Sequence, residues 1–186
     1  MPRPYRADFE SALRMFARVS RALSAQGYEA PVLVGGGAVE LYSTGAISTG
    51  DFDIVTARQS AFEAVLQDHG FVRPSGPGVA TRGWIHPEFR LGFEVVSSTL
   101  LDGMADRQRV EMIDLGQDGS ASIISLEDMI ADRMGQFASG TAPDMLGQAR
   151  ALYALHSDMD RAYLARRIVE ETAGDFSIED LEGDSL

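Results

Sequence analysis

Hydrophobic positions recur at steps of three and four over residues 7–26, and then the spacing changes. The recurring residues are Phe9, Leu13, Phe16, Val19 and Leu23. This spacing predicts an amphipathic helix that ends near Gly27. Residues 31–34 form a short apolar run that starts with a proline and is followed by three glycines, and its length and β-branched content predict a buried strand.

The central part of the chain alternates between helical and strand patterns. Strong helix formers follow a glycine turn at residues 35–37 and predict a short helix over residues 38–42. Further on we predict a strand at 51–56, a helix at 61–69, a strand or sheet edge at 70–72, a Gly- and Pro-rich loop at 74–83, and strands at 89–96, 110–115 and 121–124. In the strand at 89–96, alternation places Glu94 on the face opposite to Phe93.

The C-terminal part of the chain shows helical patterns alone. Ser125 precedes two acids, as an N-cap does, and an apolar stripe extends from Leu126 to Phe137. Two more helices are predicted at 144–157 and 158–172, followed by an acidic tail that we expect to be frayed. The pattern predicts an α/β (α+β) fold, with strands and helices in residues 1–125 and a helical segment at 126–186 packed on that core.

Composition narrows the possible classes of function. Of the 186 residues, 45% are hydrophobic and 24% are charged, which is ordinary globular usage. The absence of cysteine excludes disulfides, cysteine-based zinc sites and thiolate catalysis. No apolar run reaches the roughly 18 residues of a membrane span. We therefore expect a cytoplasmic protein without membrane contact.

The charge of the chain limits its partners further. The net charge is −12, and all 16 basic residues are arginine. Such a chain repels a phosphate backbone, so non-specific nucleic-acid binding is not expected. The absence of lysine also excludes Schiff-base chemistry and the lysine of a P-loop. The arginines of the C-terminal helices are expected to be solvated, with contact to an acceptor or nucleotide as the alternative: Arg150, Arg161, Arg166 and Arg167.

The stretch VLVGGGAVELYSTGAISTGDFDIV carries the candidate chemistry. It combines a buried strand, a glycine turn that opens a helix, and a strand that begins with two acids. Glycines let the backbone approach phosphate oxygens, and free N–H groups at a helix N-terminus attract negative charge. Asp51 and Asp53 are two residues apart, so on a strand both side chains point the same way. Two carboxylates together with substrate phosphates suit Mg²⁺.

A third carboxylate would complete a two-metal arrangement, in which the ions lie about 3.5–4 Å apart. Glu94 is the candidate because its strand phase separates it from the apolar face and Gly92 beside it leaves room. A different strand register would bring Glu88 or Glu111 to the same place.

Two motifs together resemble a known family. A Gly-Gly or Gly-Ser pair, a spacer and an Asp-h-Asp-h strand, in which h is hydrophobic, are the signature of the DNA polymerase β-like nucleotidyltransferase superfamily. Gly36-Gly37 and Asp51-Phe52-Asp53-Ile54 are similar to it. The later SLEDMIADRM resembles the S/P-x-E-D-L-I-A-x-K-L segment of minimal nucleotidyltransferases and AbiEii-type toxin relatives. The resemblance covers residues 30–137 and implies a mixed sheet flanked by helices.

The resemblance implies a Mg²⁺-dependent enzyme that transfers a nucleoside monophosphate from an NTP to an acceptor and releases pyrophosphate. Gly36 and Gly37 would hold the phosphates, and Thr49 belongs to the same nucleotide-binding motif. Asp51, Asp53 and Glu94 would be the catalytic and metal-binding carboxylates. The acceptor is open: a small molecule, a protein side chain or an RNA end. A protein partner or a homo-oligomer is compatible with the resemblance.

The chain departs from the relatives at three positions. Ile47 stands where an R-x-T-x-D-h-D motif has its arginine, Arg133 replaces the usual lysine, and Glu94 replaces the more common aspartate. The missing arginine motivates an alternative from another class, a non-catalytic binding or regulatory protein of the same fold in a toxin–antitoxin-like pair. A Rossmann fingerprint is set aside because Glu40 stands where a small residue is needed.

Overall fold

In the computed structural model, which describes residues 5–74, 83–89 and 91–182, helices flank a six-stranded mixed sheet. The strands are β1 Val32–Val34, β2 Asp51–Val55, β3 Trp84–Ile85, β4 Gly92–Ser97, β5 Glu111–Asp114 and β6 Ser120–Ile123. The helices are α1 Ala7–Ala25, α2 Gly35–Tyr42, α3 Gln59–Asp68, α4 Leu126–Ala138, α5 Met145–Leu155 and α6 Arg161–Glu171.

The strand order is β3-β4-β2-β1-β6-β5. At the centre, β1 is antiparallel to β2 and parallel to β6, and β2 is parallel to β4. The outer strands β3 and β5 pair antiparallel with their neighbours. The predicted mixed sheet with flanking helices is therefore confirmed. Within the described residues, no helix combines the length and the apolar character that crossing a bilayer requires.

One face of the sheet is an aromatic core. Phe52 of β2 and Phe93 of β4 are fully buried, and their rings stack with centroids 5.0 Å apart. Phe9 and Phe16 of α1 cover them, with Phe9 centred 5.4 Å from Phe52 and Phe16 centred 6.2 Å from Phe93. Because successive strand residues point to opposite faces, the residues on either side of these phenylalanines emerge toward α2 and α4.

Several local predictions need correction. The glycines at 35–37 are the first turn of α2 rather than a separate turn before it. The short strand β3 was not predicted, and Val72 forms a single bridge with its Ile85. Apart from its two end residues, the loop predicted at 74–83 lies outside the described residues.

The described part of the segment after α6, residues 172–182, has defined structure, in contrast to the predicted frayed tail. Residues Ile178–Leu181 form a 3₁₀ turn with a capping box at Ser177. Leu181 is buried in the hydrophobic core, and the guanidinium of Arg150 donates two hydrogen bonds, of 2.9 and 3.0 Å, to the carbonyl oxygen of Asp180. Apolar packing and backbone capping therefore outweigh the acidic composition here.

The C-terminal helices are joined to α4 by a buried ion pair. Arg167 of α6 is 0% exposed and Asp128 of α4 is 1% exposed, and Nε of the arginine lies 2.7 Å from Oδ1 of the aspartate. Asp128 also accepts hydrogen bonds from Ser125 Oγ and Tyr163 Oη, and Arg167 pairs with Glu170 and Glu171. The prediction that Arg167 is solvated was therefore wrong, because this charge is paired rather than hydrated.

This ion pair predicts a large loss of stability on removal of one partner. Arg167→Met leaves the carboxylate of Asp128 buried without its cation, and we expect the free energy of unfolding to fall by about 3–5 kcal/mol. Arg166→Met, which removes an exposed pair with Glu170 on the same helix, should cost no more than about 1 kcal/mol. Urea unfolding of the two variants measures both values. Equal losses would contradict the assignment.

Candidate active site

The three predicted carboxylates lie side by side where β2 and β4 pass the beginning of α2. In the parallel register, Asp53 is directly opposite Glu94, and Asp51 is opposite Gly92. Neighbouring strands are about 4.8 Å apart, so the side chains of Asp53 and Glu94 leave the sheet next to each other. Asp51 is exposed, whereas Asp53 and Glu94 are partly buried. The structure thus brings together the residues that the sequence singled out.

Burial and neighbouring charges both perturb the carboxyl group of Asp53. Burial raises the pKa of its carboxyl above the ordinary value, and the negative charges of Asp51 and Glu94 raise it further. The backbone amide of Gly36 and the positive charge of Arg133 lower the same pKa without cancelling the rise. An added cation at this point would therefore relieve the repulsion among the carboxylates.

The glycines at the start of α2 have three different surroundings. Gly35 has a φ of +59°, and a Cβ there would lie 2.0 Å from Asp53 Oδ2. The amide of Gly36 donates to the same oxygen at 3.3 Å, and a Cβ on Gly36 would lie 2.3 Å from Thr49 Oγ1. Side chains at either position would collide with the site. Gly35 is therefore a site residue that the sequence analysis missed.

Gly37 occupies a different place from the one that its motif suggests. It is buried, and a Cβ there would meet the side chain of Leu33 at 2.9 Å. It lines neither of the two cavities described below. In this structure its missing side chain serves the packing of α2 on β1.

A cavity of about 360 Å³ opens beside the glycines. Its lining includes Gly35, Gly36, Thr49, Asp53 and Arg133. The guanidinium of Arg133 is the positive charge that faces these residues from α4, and the residue is only 6% exposed. One Nη donates to Gln136 Oε1 at 3.0 Å, but Nε is buried and has no hydrogen-bond partner among the described residues. Nη1 also lies 3.9 Å from Asp132 Oδ2. A guanidinium that lines a cavity suits an anion there, because phosphate oxygens accept its N–H groups.

A second cavity, of about 350 Å³, lies on the other side of Asp53 and shares Gly35, Asp53 and Gln136 with the first. Its apolar walls come from the sheet and α4: Val34, Val55, Val96, Ile124 and Met129. Asp102 and Asp132 are its additional acids. The two cavities form one cleft, with the arginine on one side of Asp53 and an apolar, acidic space on the other.

The donor set fits a magnesium ion that arrives with its substrate. No group of three His, Asp or Glu side chains in residues 5–74, 83–89 and 91–182 is arranged as a complete metal-binding set. Mg²⁺ characteristically binds through one or two carboxylates plus substrate phosphates and water, so such a set is not required. Asp51 and Asp53 supply those carboxylates, and the repulsion at Asp53 is the observation that favours a cation there.

The alternative third acids lie elsewhere. Glu88 is exposed in the turn before β4, and its amide contacts the ring of His86. Glu111 is on β5, which β1 and β6 separate from β2. Ile47, at the position of the relatives' arginine, lines the cavity beside the glycines without supplying a charge. Glu94 is thus the acid that the observed register places beside Asp53.

Comparison with solved structures shows a known fold. An antigenic nucleotidyltransferase-like protein from Paracoccidioides brasiliensis superposes with a TM-score of 0.57 at 14% identity, over 94% of each chain. The antibiotic-resistance factor ANT(2'')-Ia superposes with a TM-score of 0.51 at 14% identity, over 88% of this chain and 90% of its own. Neither protein-family models nor curated protein sequences give a match. The likeness over nearly the whole chain shows that the protein has the nucleotidyltransferase fold.

Proposed function

We propose that this protein is a metal-dependent nucleotidyltransferase that moves a nucleoside monophosphate from an NTP to an acceptor and releases pyrophosphate. One observation carries the proposal: Asp53, two residues after Asp51 on β2, lines a cleft whose wall combines the glycine-rich start of α2 with the guanidinium of Arg133. Acidic and basic groups are thus placed for a metal ion and for the phosphates that the ion accompanies. The fold supports this class of reaction.

The triphosphate is assigned to the cavity beside Arg133. Gly35 and Gly36 line this cavity, and the N-terminal turn of α2 adds the positive end of its dipole. Arg133 supplies a positive charge for the phosphate oxygens, and Thr49 lines the same wall. These residues bind and orient the phosphates for displacement, which is the main contribution that a protein makes to phosphoryl transfer.

The carboxylates are assigned to the reacting end of the nucleotide. Asp51 and Asp53 would hold Mg²⁺, and a bound ion would supply charge neutralisation for the leaving pyrophosphate. Glu94, adjacent to Asp53, would orient the acceptor hydroxyl and accept its proton. The proton leaves the acceptor oxygen as that oxygen bonds to the α-phosphorus and the bond to pyrophosphate breaks. The acceptor itself stays unassigned.

Replacing Asp53 tests the catalytic assignment. Asp53→Asn keeps the size of the side chain but removes a metal ligand, and we expect nucleotide transfer to fall by roughly 10²–10³-fold, the loss typical of one electrostatic group. Transfer from α-labelled ATP, GTP, CTP or UTP, with a lysate fraction as the source of acceptor, gives the measurement. Asp68→Asn, on the exposed end of α3, is the matched control.

Two results would count against this assignment. Unchanged transfer by Asp53→Asn would remove the carboxylate from the mechanism. A wild-type protein that no NTP stabilises thermally in a Mg²⁺-dependent way would favour a non-catalytic binding or regulatory protein of this fold.

Replacing Arg133 tests the phosphate site separately. Arg133→Met removes the charge and keeps much of the volume, and we expect the Kd for ATP to rise about tenfold, equivalent to 1.4 kcal/mol, with or without Mg²⁺. Arg133→Lys should lose less, because it keeps the positive charge without the planar fork. Calorimetric titration measures the Kd. Arg166→Met is the control, and an equal loss there would move the phosphate contact to α6.

The raised pKa of Asp53 predicts that this residue lowers the stability of the metal-free protein at neutral pH but not at acid pH. A carboxyl whose pKa is raised by folding is destabilising when ionised, and the penalty disappears as the pH falls through that pKa. Metal-free Asp53→Asn should therefore melt above the wild type at neutral pH, by about 2–4 °C for each kcal/mol relieved. The gap should close on acidification. Melting curves in chelator from neutral to acid pH measure it, and a gap that widens on acidification would contradict the pKa.

A further inference from the structure

An ion pair outside the cleft holds the segment that leads into Asp51. Glu40 of α2 is 1% exposed, and its carboxylate accepts hydrogen bonds from Arg6 Nε at 2.9 Å and Arg6 Nη2 at 3.0 Å. It also accepts the backbone amide of Thr49 at 2.7 Å. Arg6 Nη2 donates in addition to the carbonyl oxygen of Thr49. The pair therefore engages both the N–H and the C=O of one residue.

That residue is connected directly to the site. Thr49 Oγ1 donates to the carbonyl oxygen of Asp51 at 3.0 Å, and it lies where a Cβ on Gly36 would come within 2.3 Å. A change in the position of Thr49 would therefore shift both the start of β2 and the wall of the glycine cavity. Asp51 is the first residue of β2, so its carboxylate depends on how the preceding loop is held.

The rest of the loop is held by different contacts. After α2 the chain turns through Thr44 and Gly45, both with positive φ, and the amide of Gly45 donates to the carbonyl oxygen of Glu40 at 2.9 Å. Further on, the amide of Ile47 donates to Ser43 Oγ at 3.1 Å. These bonds fix the beginning of the loop against the end of α2. The end of the loop, at Thr49, is where the ion pair acts.

The buried carboxylate of Glu40 needs an explanation beyond stability, since the side chain of its partner Arg6 is 39% exposed. Burying a carboxylate costs desolvation energy that a partly solvated arginine repays only in part, and buried charged groups are best attested as devices that fix register. Here the carboxylate of Glu40 binds the side chain of Arg6, at the N-terminal end of α1, and the backbone amide of Thr49, in the loop before β2. The arrangement suits alignment of the loop with α2 better than it suits packing.

We propose that Glu40 and Arg6 are positioning residues that hold Thr49, and through it Asp51, so that the two aspartates present a shared site to a divalent cation. The proposal rests on the proposed function and adds a regulator of metal affinity at the other end of α2 from the glycines. The positive charge that acts on Thr49 is that of Arg6, at the N-cap of α1, outside the stretch that carries the motif.

The test uses the full chain and two independent readouts. Arg6→Gln removes the positive charge beside Glu40. The matched control is Arg14→Gln, which replaces an arginine of α1 and breaks its exposed pair with Asp118, a residue just before β6. The first readout is hydrogen exchange of the amides at residues 46–51 without nucleotide. We expect at least a tenfold faster exchange of the Thr49 amide in Arg6→Gln and no change in Arg14→Gln, since the arginine and the carboxylate that holds this amide act together.

The second readout is the gain in ATP affinity that Mg²⁺ provides. We expect Arg6→Gln to reduce this gain about tenfold, or 1.4 kcal/mol, whereas the affinity for ATP without Mg²⁺, to which Arg133 contributes as well as Thr49, should fall by a smaller factor. Arg6→Lys should rescue only in part, because a lysine cannot reproduce the paired geometry. In an Asp51→Asn background Arg6→Gln should cause no further loss, because the two residues act on the same ligand.

Each outcome decides the proposal. Additive losses in Arg6→Gln and Asp51→Asn, or unchanged exchange at Thr49, would overturn the positioning role. A wild type without any Mg²⁺-dependent gain in ATP affinity would instead overturn the proposed function. The exchange readout needs no nucleotide, so in that case it still supports or overturns the hold of Arg6 on the loop.

Discussion

The structure depends above all on the alternation of side chains along two neighbouring strands. Phe52 and Phe93 stack on each other beneath α1, and this aromatic contact determines which face of β2 and β4 is buried. Once those two rings are inside, the residues flanking them must point to the opposite face. A shift of one residue in either strand would bury carboxylates and expose aromatic rings. The hydrophobic core therefore sets the position of the acids more strictly than any contact among the acids themselves.

That arrangement gathers like charges, and the fold moderates their repulsion with small contributions from several elements. The amide of Gly36 and the guanidinium of Arg133 each favour the ionised form of Asp53, but burial and its acidic neighbours outweigh them. The residual repulsion is the electrostatic feature that favours the proposed cation beside Asp53. Position 35 is confined to glycine for a steric reason, because the backbone of α2 passes within contact distance of the Asp53 carboxylate there.

The sequence was sufficient for features that depend on local periodicity. The phase of β2 and β4 and the N-cap at Ser125 follow from patterns within a few residues, whereas the mixed sheet was expected from the family resemblance. Contacts between distant parts of the chain were missed for the opposite reason. The pairing of Arg6 with Glu40 and the burial of Arg167 depend on which helices meet, and an arginine on an amphipathic helix has the same local pattern whether it is solvated or paired. The order of residues 174–182 was missed in the same way.

The pairing of Asp128 with Arg167 has a consequence for how this architecture can diversify. Helix α4 carries Asp128 on the side that meets α6 and Arg133 on the side that meets the cleft. An exchange of the C-terminal helices between relatives would succeed only if the incoming segment brought its own cation to Asp128. The outer surface of those helices can change in sequence independently, whereas their inner surface must stay complementary to α4, which forms the wall of the cleft.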